Sequence, residues 1–258
     1  MLCNDGTQQS PINIEMNDTV FNKGLNFETQ IPEISHFNIV KSNNILTYEL
    51  DIVGEYFPII NWVRVNEPSQ YYDLNHIEFH WSCNDSKGSE HSIDNISGAA
   101  ELQLHYYNPD HGGYDDAQVE DYGILVQTYI LKLGNKLDLE IFKFGQAENS
   151  RMIELSGLIS LTSDSKFFKY DGLVRNDPCS RMQWLVMAES IDITEEQLTE
   201  LRLISSECNV RDQYERTENL VVSRNFEEYT QGSAGCLFKS NLFYALAQAW
   251  LSIHYIYI

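Results

Sequence analysis

The chain has 258 residues, enough for a domain that buries a full core without disulfide or metal staples. Hydrophobic residues make up 43% and aromatic residues 12%, a composition that excludes an intrinsically disordered chain. Acidic residues outnumber basic ones 38 to 17, and the resulting net charge of −21 excludes nucleic acid, heparin-like chains and anionic membrane surfaces as charge-driven partners, while a basic protein surface or a divalent-cation-rich matrix is compatible with it.

In chain order, Met1 leads directly into Cys3-Asn4-Asp5-Gly6, which is polar and turn-like and does not read as a signal peptide. Ser10-Pro11-Ile12-Asn13-Ile14 reads as a short extended segment. Residues 38–40, 45–50 and 57–63 are rich in β-formers, and Asn and Gly turn signals separate them. In His76-Ile77-Glu78-Phe79-His80-Trp81 the alternation is complete. His76, Glu78 and His80 share one face of a strand, and Ile77, Phe79 and Trp81 share the other. One face packs a core and the other lines a site. Residues 99–107 repeat the pattern, with Glu101, Gln103 and His105 on one face and Leu102 and Leu104 on the other. The segment between the two, residues 83–94, holds Asn-Asp-Ser-Lys-Gly and reads as a loop.

Residues 123–134 form an apolar run between glycines, the signature of a buried central strand. Residues 136–144 fit helix or strand equally well, and 183–187 read as another buried strand. Thr194 with Gln197 three residues on forms a capping box that opens a helix through Arg202. Strand signals dominate, and neither a repeat nor a Pro- or Ser-rich linker divides the chain. The fold class is therefore mostly β, a single domain over residues 1–236 with a few short peripheral helices. Residues 237–258 form an apolar tail without a charged residue after Lys239, read as a docked helix with an anchor signal as the alternative. Five cysteines (Cys3, Cys83, Cys179, Cys208, Cys236) show no metal-binding spacing, and their odd number leaves at least one unpaired if disulfides form.

These stretches together resemble the α-carbonic anhydrases. Gln9-Ser10-Pro11-Ile12-Asn13-Ile14 is similar to the family's N-terminal signature. Glu78-Phe79-His80-Trp81 stands where the family has a His-x-His-Trp metal strand. Gly88-Ser89-Glu90-His91-Ser92-Ile93-Asp94, Ala99-Ala100-Glu101-Leu102, Tyr107-Asn108 and residues 170–184 continue the match. The resemblance implies a large, twisted, mainly antiparallel sheet and a conical cavity leading to zinc on three histidines. It implies attack of zinc-bound hydroxide on carbon dioxide, zinc having lowered the water pKa to about 7. It also implies a His91–Tyr170 bond, an apolar cavity wall at Val126, Val174 and Trp184, and a Cys3–Cys179 disulfide, which would place the chain in the secretory pathway or outside the cell.

The departures lie at the site. The three histidine positions carry Glu78, His80 and Gln103. The family's threonine pair is replaced by Arg175 and Asn176, and its shuttle histidine by Glu55. Glu90, the buried acceptor for the first threonine, is retained, with Arg175 as its expected partner. His105 replaces an apolar wall residue.

Two ligands and the threonine gate are thus altered. This favours an acatalytic binding or scaffold module with no cofactor, or with zinc held weakly in altered coordination. A rebuilt metal site remains open, since antiparallel pairing in the family register sets His76 opposite His105 and Glu78 opposite Gln103. His76, Glu78, His80 and His105 would then crowd one face and could support a residual or different lyase or hydrolase activity. An active carbonate dehydratase with atypical ligands is the remaining alternative. Oligomer contacts and basic partner proteins suit the scaffold reading.

Overall fold

The structure is a computed structural model that describes residues 9–30, 34–42, 45–50, 62–66, 69–85, 87–135, 139–144, 150–155, 158, 166–173, 180–204 and 208–227. The expected tail at 237–258, the Cys3–Cys179 pair, Glu55, Val174, Arg175 and Asn176 lie outside the described residues.

The mostly β fold follows from the alternation. Among the described residues, thirteen strands form one sheet. At its centre Ser69–Trp81, Ala100–Tyr107, Ile124–Leu133, Arg181–Met187 and Phe167–Leu173 lie side by side in that order. Pairing is mainly antiparallel. The exceptions are Ile124–Leu133, which runs parallel to Arg181–Met187 and to Ile191–Ile193, and Ser223–Arg224, which runs parallel to Val20–Phe21. The short strands Asn13–Ile14 and Ser92–Ile93 pair in parallel, so the segment expected to be wholly loop at 83–94 contains a strand at its end. Of residues 136–144, read as helix or strand, Glu140–Phe142 form a short 3-10 helix, and 136–138 lie outside the described residues.

The face carrying Ile77, Phe79, Trp81, Leu102 and Leu104 packs the larger core, and each of these side chains is buried. The helix Glu195–Arg202 contributes Leu198 and Leu201 to it, and the expected capping box closes its first turn through Thr194 and Gln197. On the opposite face the register forms straight rows. His76 stands opposite His105, His105 opposite Val126, Val126 beside Trp184, and Trp184 opposite Tyr170. The next rows are Glu78, Gln103 and Thr128, then His80, Glu101 and Ile130. The Val126–Trp184–Tyr170 end packs a second apolar core with Ile124 and Phe168. The His76–His80 end of the same face is polar, and the candidate site is here.

A segment distant in sequence closes the polar end. Cys83 and Cys208 form a disulfide across a sequence separation of 125. Next to it, the backbone N–H groups of Asn209 and Val210 donate to the Trp81 carbonyl at 3.1 and 3.2 Å. The Asn209 side chain accepts from the Trp81 N–H at 2.6 Å and donates to the Phe79 carbonyl at 2.9 Å. Residues 208–211 are thus stapled along the end of the site strand. The sequence leaves this pairing open, because five cysteines admit many partners.

Closing so long a loop restricts the unfolded chain strongly. Replacing Cys83 and Cys208 together by alanine is expected to lower the unfolding free energy by about 3–5 kcal/mol. Denaturant unfolding checks it, and a loss below about 1 kcal/mol would show that the Asn209 bonds alone hold the segment.

Candidate functional site

Two loop features place Glu90 beneath the site strand. Gly88 approaches the Ala99 backbone so closely that a Cβ would stand 1.7 Å from the Ala99 carbonyl oxygen. Ser89 Oγ donates to the His91 carbonyl at 2.6 Å and accepts from the Gly98 N–H at 2.8 Å. With the loop closed in this way, the Glu90 side chain is 0% exposed.

Burial would raise the pKa of Glu90 by disfavouring its charge, but His80 and Arg211 hold it below the usual carboxylate range. Arg211 Nε donates to Glu90 Oε1 at 2.7 Å, its Nη2 donates to Oε2, and its backbone N–H donates to Oε1 at 3.2 Å. This is bidentate recognition of a carboxylate. The sequence reading names Arg175 as the partner of Glu90. The structure seats Arg211 there, delivered by the stapled 208–211 segment, and no local sequence signal points to it.

His80 stands between two carboxylates. Its Nδ1 lies 3.2 Å from Glu90 Oε1 and its Nε2 lies 3.3 Å from Glu78 Oε2. Neither contact is aligned as a hydrogen bond, so both are ion-pair contacts by distance. Burial would lower the His80 pKa, but Glu90 and Glu78 together hold it up at about 9. Glu101 is fully buried. Burial would raise it, yet the His91 ring and backbone N–H and the Thr128 hydroxyl hold it at about 2. His91 meets Tyr170 Oη at 2.7 Å, the bond the resemblance implies.

Gln103 is the hinge of this network. Its amide nitrogen donates to Glu90 Oε2 at 2.9 Å and to Glu101 Oε1 at 2.8 Å, and its Oε1 faces His105 Nε2 at 3.2 Å. One row further out, the imidazoles of His76 and His105 stack with ring centroids 4.4 Å apart, as their facing positions in the register require. Glu78 Oε1 lies 3.3 Å from His76 Nε2, and Oε2 lies 3.6 Å from His105 Nε2. One ligand atom from each of His76, Glu78 and His105 falls within 4.8 Å of the others, a group that could hold a metal ion. Burial and the neighbouring His76 push His105 down to about 3. Burial would raise Glu78, but His105, His76 and His80 hold it well below the carboxylate range.

Of the expected wall, Val126 and Trp184 are buried in the rows described, continuing the row of His76 and His105.

The large, mainly antiparallel sheet is the fold expected of the carbonic anhydrase class. Residues 1–228 match the eukaryotic-type carbonic anhydrase family, and the chain belongs to that family. Carbonic anhydrase 6 of Bos taurus is 24% identical to it, over 92% of this chain and 80% of the relative. Carbonic anhydrase 6 of Homo sapiens is 26% identical, over 88% and 79%. Carbonic anhydrase 3 of Equus caballus is 30% identical over a shorter stretch, 52% of this chain and 55% of the relative. No helix among the described residues is long and apolar enough to cross a membrane.

Two predictions follow from the electrostatics. Arg211→Leu leaves Glu90 buried without its main counter-charge, and it is expected to cost about 3–5 kcal/mol in denaturant unfolding. A cost under about 1 kcal/mol would show that His80 and Gln103 suffice. For metal-free protein in chelator, stability is expected to fall on both sides of neutrality. His80 is held above its unfolded value, so its contribution is complete below about pH 6.5 and is lost as pH rises through about 9. His105 is held below its unfolded value, so its contribution is complete above about pH 6.5 and is lost as pH falls towards about 3; Glu101 and Glu78, also held down, begin to lose theirs below about pH 4.5, and that of Glu101 is lost as pH falls through about 2. Melting temperature against pH measures both limbs. His80→Gln should flatten the alkaline limb, and an unchanged limb would assign it to other groups.

Proposed function

We propose that this chain is a carbonic anhydrase family member that does not hydrate carbon dioxide and acts as a binding or scaffold module. The observation that carries this reading is Gln103. In the third position of the family's zinc set, its amide nitrogen is bonded to Glu90 and Glu101, and its one acceptor atom faces His105. A carboxamide so engaged does not supply the lone pair that an imidazole would. In the first position, Glu78 adds negative charge and would make a bound zinc a poorer Lewis acid. In the second position, His80 is enclosed between two carboxylates. Residues 78, 80 and 103 therefore do not fit zinc in the family's geometry. Arg175 and Asn176 in place of the threonine pair point the same way.

The partner that fits this reading is a basic protein surface, supported by the net charge of −21. An oxidising compartment fits it as well, supported by the Cys83–Cys208 disulfide.

Stopped-flow carbon dioxide hydration with excess Zn2+ is expected to match the buffer rate. Glu78→His, Gln103→His and Arg175→Thr combined are expected to raise the rate above it, because the fold and Glu90 are retained. A zinc-dependent rate above buffer in the unmodified chain would overturn the reading.

A further inference from the structure

We infer that the chain carries a second, displaced metal site, in which a divalent transition ion is held by His76 Nε2, the Glu78 carboxylate and His105 Nε2, one strand repeat outward from the family's zinc position. This inference stands apart from the loss of hydration and is not tested by a hydration assay.

Register is the first ground. The family's ligands occupy positions 78 and 80 of one strand and position 103, the cross-strand partner of 78. His76, Glu78 and His105 occupy positions 76 and 78 and the cross-strand partner of 76. The pattern is the same: a residue, the residue two further along its strand, and the residue opposite the first. It has moved by two residues on both strands, about 7 Å along the sheet. A geometry that brings three side chains to one point in the original position brings three to one point in the displaced position, because the sheet repeats every two residues.

Distance is the second ground. With metal–ligand bonds of about 2.0–2.1 Å, adjacent ligands in a tetrahedron stand about 3.3 Å apart. Glu78 lies 3.3 Å from His76 Nε2 and 3.6 Å from His105 Nε2, close to that spacing. The donor set of two imidazoles and one carboxylate is one that zinc and other divalent first-row ions accept, with a coordination position left for water.

Orientation is the third ground. His76 Nδ1–H donates to Asn75 Oδ1 at 2.6 Å, which turns Nε2 towards Glu78 Oε1 at 3.3 Å and leaves Nε2 as the ring's ligand atom. Tyr114 Oη stands 3.3 Å from His105 Nδ1. Gln103 Oε1, which only accepts, faces His105 Nε2 at 3.2 Å, so Nε2 carries the proton without an ion; a metal on Nε2 replaces that contact, and the proton then sits on Nδ1, which donates to the Tyr114 hydroxyl. Both imidazoles thus have the outer hydrogen-bond partner that metal-ligating histidines use to fix ring and tautomer. Glu78 is 22% exposed, while His76 and His105 are each 11% exposed, which leaves an entry path to an otherwise enclosed set.

The test is direct binding of Zn2+ and Co2+ to the chelator-treated full chain, read by calorimetry and by the visible absorption of tetrahedral Co2+, with no activity involved. One equivalent per chain is expected. His76→Gln and His105→Val are each expected to weaken binding by at least about 100-fold. His80→Gln is expected to retain one equivalent, since His80 lies outside the set. His105→Val puts an apolar residue in a row that continues into Val126, and a circular dichroism spectrum and melting temperature like those of the unmodified chain show that it folds. No stoichiometric ion in the unmodified chain overturns the inference. Binding lost in His80→Gln and kept in the folded His105→Val variant also overturns it, by placing the ion at the family's position.

Discussion

The site is built on one buried charge. Glu90 is wholly enclosed, and a carboxylate taken out of water costs several kcal/mol unless it is paired and its lone pairs are filled. Arg211 supplies the pairing and Gln103 and His80 complete the shell. The disulfide at Cys83–Cys208 and the Asn209 bonds to Phe79 and Trp81 hold the Arg211 backbone where its side chain can reach. Once Glu90 and Arg211 are fixed, His80 is drawn between Glu90 and Glu78, and the amide of Gln103 bridges Glu90 and Glu101. The polar half of the sheet face is therefore one connected network in which each charge depends on its neighbour.

Most of this fold was legible in the sequence, because strand alternation and the capping box are local signals. The period of two in residues 76–81 and 99–107 assigned the two faces, and the structure shows those faces packed as expected. The pairing of His76 with His105 and of Glu78 with Gln103 was legible through the family register. What was not legible was long-range. Arg211 is separated from Glu90 by 121 residues, and its own neighbourhood carries no pattern that marks it as a partner. Cys83 and Cys208 are separated by 125, and nothing near either of them selects the other. Local chemistry announces that a buried acid needs a cation, but only the folded chain shows which cation arrives.

The orientation of Gln103 was illegible for a different reason. A glutamine offers both a donor and an acceptor, and the sequence does not say which end turns inward. The two carboxylates decide it. Glu90 and Glu101 accept only, so the amide nitrogen faces them and the carbonyl oxygen is turned outward towards His105. The amide nitrogen thus stands as a donor between two acids that would otherwise repel each other, which stabilises the network.

The same turn of the amide couples the inner and outer rows. From His76 to His80 the register is unbroken, so the site-facing side chains recur every second residue and these rows present the same backbone geometry to whatever side chains they carry. A triad made of two strand positions and one cross-strand partner is therefore defined by register, and it can be occupied at any row where suitable side chains stand. In this chain the inner row is an internal ion-pair and hydrogen-bond network, while the next row outward carries His76 and His105 around the shared Glu78. Glu78 belongs to both arrangements. One of its oxygens meets His80 of the inner network, and both are within reach of the outer imidazoles. A cation drawn to the outer set would compete with His80 for this carboxylate, so occupancy of the outer row and the charge state of the inner network are linked by one side chain.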